Sequence, residues 1–312
     1  KAHTTFIDTI LRYEHKGRIH ADINQIRSDQ GGTVTGRFSY SNPNLQQIPA
    51  RNKDLGPMIR SLFIPEENCT WGCFDYSQQE PRLVVHFAST TAGIKEDPSV
   101  KEIVDNYASN DIDFHKTVAD MAGIDRIQAK TINLGLFYGM GKAKLQAELG
   151  LSTKQEAEAL FNQYHDRVPF VRNLMQETSR WASREGEIRT LLGRGCRFNK
   201  WEPAQFGMHT PMTWEDAVKK YGENRIRRAF TYKALNKLIQ GSAADMTKKS
   251  MLDLYKEGII AHIQIHDELD LSVESPEQAK KVVEIMENAV KLDVPNKVDY
   301  ESGKNWGDIY DK

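Results

Sequence analysis

The pattern of apolar and polar residues changes abruptly at one point in the first third of the chain. Residues 71–74 form an apolar run, the chain turns polar at Asp75, and an apolar face at helical spacing follows over residues 77–90. This pattern predicts a buried strand that leads into a helix, with Asp75 at the junction. A carboxylate in that place can hold a cation, although an aspartate at a strand end more often serves as a helix cap or turn residue.

A second informative pattern lies at residues 263–273, where two alternating runs are separated by His266, Asp267 and Glu268. Alternation of this kind predicts two strands joined by a tight turn. The turn is acidic, as is the end of the earlier strand at Asp75. Because the two acidic strand ends are far apart in sequence, they can meet only if their strands are neighbours in one sheet.

The segment 125–139 has helical spacing and carries Arg126, Lys130, Leu134 and Tyr138 at every fourth position. At about 100° per residue, these positions form one slowly rotating stripe. The stripe presents two cations, then an apolar side chain, then an aromatic ring, which suits a polyphosphate, a sugar and a base. A solvated basic face explains the same stripe equally well.

The same patterns predict the remaining elements more coarsely. These are helical and then loop-like structure over 1–30 with a break at Lys16 and Gly17, a loop over 31–49, short strands over 51–75, a helix cap at Asp113, amphipathic helices over 152–185 with a break at Pro169, a strand or hairpin over 190–197, and a long helix from Arg225 through Lys249 with a break at Gly241 and Ser242. The loop over 31–49 carries donors suited to phosphate oxygens, although its composition also fits a solvated loop.

Composition sets limits on the class of protein. The 312 residues are 39% hydrophobic and 27% charged, as in an ordinary globular protein, and no run is long enough for a membrane span. The net charge of −1 gives no overall attraction to nucleic acid, although a basic groove can be balanced by acidic surface elsewhere. Cys69, Cys73 and Cys196 fit neither a disulfide frame nor zinc spacing, which predicts free thiols in a reducing compartment.

Six sequence blocks resemble, in order, those of the family A (DNA polymerase I-like) DNA polymerases. The run from Asp75 to Arg82 is similar to the first polymerase motif, Arg126–Gly139 to the second, and His266–Glu268 to the third. The three further blocks are Thr35–Ser39, Pro43–Pro49 and Gln240–Asp245. The resemblance runs from about Gly17 to the end of the chain and has the character of phage or organellar members.

The resemblance implies an α+β fold of the right-hand polymerase type, with an antiparallel palm sheet, helical fingers and most of the thumb absent. Residues 1–33 would end the thumb, 34–110 and 232–312 would form the palm, and 111–231 the fingers. Because the proofreading domain precedes this region in the family, we expect no 3′–5′ exonuclease activity in this chain. The implied location is the cytoplasm of a bacterial host or an organelle.

The implied reaction is template-directed addition of deoxynucleotides to a primer 3′ end, with release of pyrophosphate. Asp75 and Asp267 would bridge two Mg²⁺ ions, or Mn²⁺ in their place, with the Tyr76 carbonyl assisting and Glu268 as a further catalytic acid. The implied partners are primer–template DNA, deoxynucleoside triphosphates and a separate or upstream thumb and exonuclease segment, with no membrane.

The resemblance also implies two sets of binding residues. Nucleotide-binding residues would be Gln78, Glu80, His115, Arg126, Lys130, Leu134 and Tyr138, with Glu80 excluding a ribose 2′-hydroxyl and Tyr138 closing against the nascent pair. DNA-binding residues would be Arg37, Asn44, Gln46, Asn236, Gln240 and His266.

Two residues depart from the family pattern. Leu134 stands where most relatives have Phe or Tyr, so discrimination against dideoxynucleotides does not carry over. Tyr232 stands where many relatives have an arginine, which puts that DNA contact in doubt.

Two rival functions stay open. One is a single-subunit RNA polymerase, which Glu80 disfavours, and the other is a non-catalytic DNA-binding fragment, which intact Asp75 and Asp267 disfavour.

Overall fold

The computed structural model describes residues 3–26, 31–49, 52, 54–109, 113–137, 140–205 and 207–310. The chain divides into two compact units, of which the first comprises Lys1–Gln79, Ala243–Lys291 and Pro295–Lys312, and the second comprises Glu80–Ser242 and Leu292–Val294. The mixture of helices with antiparallel strands confirms the α+β class. The thumb, palm and finger boundaries stay predictions.

The described residues contain strands and helices of very different lengths. The strands are β1 (Glu14–His15), β2 (Arg18–Ile19), β3 (Asp22–Asn24), β4 (Ser39–Ser41), β5 (Thr70–Tyr76), β6 (Glu187–Arg189), β7 (Gly195–Arg197), β8 (Trp201–Pro203), β9 (Ile226–Arg228), β10 (Ile263–Ile265), β11 (Glu268–Val273) and β12 (Val298–Gly303). The α-helices are α1 (Asp8–Leu11), α2 (Leu55–Arg60), α3 (Gln79–Thr90), α4 (Pro98–Ser109), α5 (Phe114–Ala122), α6 (Arg126–Phe137), α7 (Lys142–Leu149), α8 (Lys154–Arg167), α9 (Pro169–Glu185), α10 (Trp214–Tyr221), α11 (Ala234–Lys256) and α12 (Pro276–Asn288). Shorter turns of 3₁₀ or π-helix lie at His3–Ile7, Leu45–Gln47, Glu223–Arg225, Thr231–Lys233 and Trp306–Tyr310. Within these ranges, no helix combines the length and apolarity needed to cross a bilayer.

The first unit is built on a four-stranded antiparallel sheet in the order β10-β11-β5-β12. In the register of β5 with β11, Asp75 lies opposite Glu268 and Cys73 lies opposite Asp270. On the other side of β5, Asp299 of β12 also lies opposite Asp75. The strands that bear the two acidic ends are therefore neighbours, as predicted.

Contacts on both faces of the sheet fix the position of β5. On one face, the Tyr76 hydroxyl donates to the Met286 carbonyl oxygen at 2.5 Å and lies 2.7 Å from Ser250 Oγ. On the opposite face, Trp71 stacks on Trp306 with 6.0 Å between the ring centroids. Because side chains alternate along a strand, these two anchors hold β5 from opposite sides and set the backbone around Asp75.

The second unit is mainly helical. Asp113 caps α5 by accepting hydrogen bonds from the backbone amides of His115 and Lys116, as predicted. Thr153 and Glu156 form a reciprocal capping box at the start of α8, and α9 begins at Pro169, where the sequence predicts a break. The strand or hairpin predicted over 190–197 is confirmed in part: β7 lies in that range, whereas its antiparallel partner β6 ends at Arg189, just before it.

The opening segment is helical over residues 3–11, and its pattern breaks at Lys16 and Gly17, as predicted. Where a loop was expected, hairpin β1–β2 forms about these two left-handed residues. Three other predictions are wrong. Part of the segment expected to hold strands is helix α2, and residues around Arg227 form strand β9, paired with β8, instead of opening a helix. Helix α11 passes unbroken through Gly241 and Ser242, because Ser242 is fully buried and its hydroxyl accepts from the Leu191 amide.

Close backbone packing beside Trp306 gives a test of this fold. A Cβ atom added at Gly307 would lie 2.5 Å from the Pro57 carbonyl oxygen and 2.8 Å from the Ser61 nitrogen. We therefore expect Gly307→Ala to lower the free energy of unfolding by about 1–3 kcal/mol in urea denaturation. The control is Gly141→Ala, because a Cβ there meets no atom within 4 Å. Equal midpoints for the two variants would contradict this packing.

Candidate active site

Three acidic side chains converge at one end of the central sheet. Asp75 lies near the end of β5, Glu268 begins β11, and Asp267 lies in the turn between β10 and β11. Asp75 and Glu268 are cross-strand neighbours, and the Tyr76 amide donates to the Asp267 carbonyl oxygen at 3.3 Å. The structure therefore brings together the acidic residues that the sequence predicts as one site.

The turn that carries Asp267 is held by buried polar groups. His266 has a φ of 57°, a backbone conformation that is costly for a residue other than glycine. Its carbonyl oxygen accepts from Gln264 Nε2 at 2.6 Å and from Thr247 Oγ1 at 3.4 Å. Nothing in the sequence marks Gln264 and Thr247 as site residues, because Thr247 acts from another element and the hydrogen bond of nearby Gln264 depends on the backbone conformation of the turn.

Burial and like charge make this group of carboxylates unfavourable by itself. Burial, followed by the charges of Asp267, Glu268 and Asp299, raises the pKa of Asp75 well above its ordinary value. Burial also raises the pKa of Asp267, against the charge of Arg37. Within the described part of the chain, Asp75 Oδ1 is buried and accepts no hydrogen bond. Carboxylate oxygens are the ligands that a hard divalent cation prefers, and a cation would also satisfy the buried Asp75 oxygen and offset the repulsion. The acidic cluster therefore fits Mg²⁺.

The predicted DNA-contacting residues of the first unit lie close to this turn. The Asn44 side chain accepts from the Gln46 amide at 3.1 Å and caps a 3₁₀ turn, and Gln46 Nε2 donates to the Gln264 carbonyl oxygen at 3.3 Å. Arg37 is half-buried and its charge acts on Asp267, whereas His266 is exposed. Asn44 and Gln46 therefore also stabilise the local fold.

The basic stripe of the second unit lies on α6 as predicted. Arg126 and Lys130 are exposed one turn apart, and Leu134, the next member of the stripe, is half-buried. The Arg126 guanidinium forms an ion pair with Asp113, with Nε and Nη2 each 2.6 Å from Asp113 Oδ2. Tyr138, the fourth predicted member, lies outside the described residues.

A buried hydrogen-bond chain orients His115 on α5. The Tyr164 hydroxyl donates to Asn133 Oδ1, and Asn133 Nδ2 donates to His115 Nδ1 at 3.1 Å. With Nδ1 acting as acceptor, the ring proton lies on Nε2. Burial is the main cause that lowers the pKa of His115 to about 4, so the ring is neutral near pH 7. Nothing in the sequence singles out Asn133 and Tyr164, which look like ordinary helix residues.

The other predicted residues are placed by their helices. Gln78 has a φ of 54° just before α3, and Glu80 lies half-buried in the first turn of that helix. Asn236 and Gln240 are half-buried one turn apart on α11. Asn236 Nδ2 is buried and has no hydrogen-bond partner among the described residues.

The neutral state of His115 predicts a change in stability with pH. Histidine in the unfolded chain has a pKa of about 6.5, so the unfolded state binds more protons than the folded state between about pH 6.5 and pH 4. Stability should therefore fall as pH falls through this range. We expect His115→Gln to lose less urea resistance than the wild type between pH 7 and pH 5.

The matched control is His20→Gln, which changes an exposed histidine. This variant should keep the full wild-type loss of stability between pH 7 and pH 5. Identical pH dependence in His115→Gln and the wild type would show that His115 is not buried in its neutral form.

Comparisons with known proteins identify the family. The family model for DNA polymerase family A matches residues 1–308. Over 98% of its length this chain is 34% identical to a DNA-directed DNA polymerase of Pseudomonas phage M6, and over 98% it is 35% identical to a thermostable DNA polymerase I of Thermus filiformis. These matches cover 49% and 35% of the two relatives, so the chain spans half of their length or less.

A solved structure is similar over almost the whole chain. It is the POL domain of Pol1 from M. smegmatis, in a complex with DNA primer-template and dNTP, with a TM-score of 0.76 and 29% sequence identity. The match covers 99% of this chain and 51% of that one. From the family match and from the acidic turn set against β5, we conclude that the chain belongs to DNA polymerase family A.

Proposed function

We propose that this chain catalyses template-directed DNA synthesis by adding deoxynucleotides to a primer 3′ end. The observation that carries the proposal is the convergence of Asp75, Asp267 and Glu268 at the end of two paired strands in a family A chain. The named relatives are DNA polymerases, and the structural neighbour holds primer-template and dNTP. Proofreading is not part of the proposal for this chain.

The acidic turn would hold the metal ions of the reaction. Asp75, Asp267 and the Tyr76 carbonyl oxygen are the proposed ligands, and Glu268 adds negative charge beside them. Two Mg²⁺ ions, or Mn²⁺ in their place, would stabilise charge on the attacking and leaving oxygens. The fixed β5 backbone and the clamped His266 carbonyl keep the carboxylates in place before any substrate arrives.

The incoming deoxynucleoside triphosphate would be bound by α5 and α6. Lys130 supplies one cation, and Arg126 supplies a second when phosphate oxygens replace Asp113 as its partner. Neutral His115 would donate a hydrogen bond from Nε2 to a phosphate oxygen. The proposed positions for the sugar and base are near Gln78, Glu80, Leu134 and Tyr138.

Primer–template DNA would be contacted by the side chains of Arg37, Asn44, Gln46, Asn236, Gln240 and His266. Minor-groove acceptors occupy similar places in every correct base pair, so amide and imidazole donors can test pair geometry without recognising a particular sequence.

We propose that a thumb and exonuclease segment, separate or upstream, completes the enzyme. The expected setting is phage DNA in a bacterial cytoplasm, or organellar DNA.

The carboxylates give the first functional test. We expect Asp75→Asn and Asp267→Asn each to reduce Mg²⁺-dependent primer extension by at least about a hundredfold, because each removes a proposed metal ligand. Primer–template affinity, measured by fluorescence anisotropy, should be retained. Asp299→Asn is the matched control, because this exposed acid also lies opposite Asp75 but is not a proposed ligand. Undiminished extension by either site variant would defeat the proposal, and retained DNA binding with no wild-type extension would favour the non-catalytic alternative.

Glu80 gives the second functional test, and it separates DNA from RNA synthesis. We expect Glu80→Ala to lower the preference for deoxyribonucleotides over ribonucleotides by about tenfold or more, because space for a 2′-hydroxyl opens. Glu80→Gln keeps the side-chain volume and should keep the preference. Single-nucleotide incorporation with each substrate measures both. Wild-type extension with ribonucleotides alone would instead favour an RNA polymerase.

A further inference from the structure

A second group of potential ligands lies further along the sheet face that carries Asp75. Side chains alternate along a strand, so Cys73 shares a face with Asp75 on β5, and Asp270 shares it with Glu268 on β11. Cys73 and Asp270 are directly opposite each other in the register. The acidic character of this face therefore continues from the proposed active site into the core.

The ligand atoms of this group are close together. The Cys73 sulfur, one Glu268 carboxylate oxygen and one Asp270 carboxylate oxygen all lie within 4.8 Å of one another. Zinc binds sulfur at about 2.3 Å and carboxylate oxygen at about 2.0–2.2 Å, which places ligands of one tetrahedral shell roughly 3.3–3.7 Å apart. Side-chain shifts of about 1 Å would bring these atoms into a common shell, with a fourth position left for water.

Asp270 supplies a second observation that favours a ligand at this place. This carboxylate is completely buried, and its Oδ1 atom accepts from the Trp71 indole Nε1 at 3.2 Å. Its Oδ2 atom is buried and, within the described ranges, receives no hydrogen bond from a donor that is always protonated, and its neighbour is the second carboxylate, Glu268. The positive charge of Arg60 acts on Asp270, but the Glu268 carboxylate adds a second negative charge beside it. A buried acceptor in this state calls for either a cation or a shared proton.

We propose that Cys73, Glu268 and Asp270 form a further metal site that takes a thiophilic divalent cation of the zinc class. A thiolate ligand favours such a cation over Mg²⁺, which prefers oxygen ligands alone. The Trp71 indole donates a hydrogen bond to the Asp270 carboxylate and so orients it, as supporting hydrogen bonds do in protein zinc sites. Glu268 lies opposite Asp75, so this site would share one acid with the proposed catalytic site.

Cadmium is the probe for this site, because a cadmium–thiolate bond gives an ultraviolet charge-transfer band. The whole chain, stripped with chelator, is titrated with Cd²⁺ in the presence and absence of excess Mg²⁺. We expect a band that saturates at one equivalent and persists with Mg²⁺. Cys73→Ser should abolish it, and Cys196→Ser, which alters another buried cysteine, should leave it intact.

Asp270→Asn supplies a second variant that keeps the cysteine and the side-chain shape. We expect it to weaken Cd²⁺ binding by at least about tenfold. Removing a residue that only hydrogen-bonds a metal ligand lowers metal affinity by about that factor, and removing a ligand itself should lower the affinity by no less. If Cys73→Ser fails to fold by circular dichroism, Asp270→Asn decides the result. No band in the wild type, a band unchanged by either site variant, or a band removed by Cys196→Ser would overturn the proposal. The first of these outcomes would leave a proton shared between Glu268 and Asp270 as the explanation.

Discussion

The antiparallel register that sets Asp75 opposite Glu268 is the constraint on which the first unit depends. A shift of one residue between β5 and β11 would move Asp75 to a different neighbour and would turn Trp71 and Tyr76 to the wrong faces. The anchors on the two faces therefore do more than stabilise the core. They prevent slippage of the strand that carries the acid, so the energy of core packing is what holds like charges together.

The local patterns were sufficient for the elements that the active site needs, but not for the contacts that hold it. Asp75 at a strand end, the acidic turn and the stripe on α6 were all visible in the sequence, because each depends on residue type and periodicity within a short window. Thr247 and Gln264 were missed, because their role is to hydrogen-bond the His266 carbonyl. The bond from Thr247 depends on where the fold brings a distant helix residue, and a single sequence does not contain that information. Gln264 is only two residues from His266, but residue type and periodicity do not show that its side chain turns back to the carbonyl oxygen.

The errors have the same physical origin. Gly241 predicts a break because glycine is unfavourable inside a helix, yet α11 continues, since burial of the neighbouring Ser242 and its hydrogen bond outweigh a local preference of about 1 kcal/mol. Basic residues around Arg227 look like one polar helix face but form a strand, because pairing with β8 provides backbone hydrogen bonds. In both places tertiary contacts override weak intrinsic propensity.

In the second unit one carboxylate both serves the fold and pairs with a cation that we propose binds the triphosphate. Asp113 caps α5 with Oδ1 and binds Arg126 through Oδ2, so one carboxylate satisfies two needs with separate atoms. The Arg126 side chain is 51% exposed in this pair, and exposed ion pairs contribute about 0–1 kcal/mol. Transfer of the guanidinium to a triphosphate would therefore cost little, while the cap on α5 remains intact. His115, by contrast, is fixed by a buried chain and needs no rearrangement to present its Nε2 proton. A phosphate bound between α5 and α6 would thus meet the His115 Nε2 donor already in position. It would also meet the Arg126 cation, whose release from Asp113 requires little free energy.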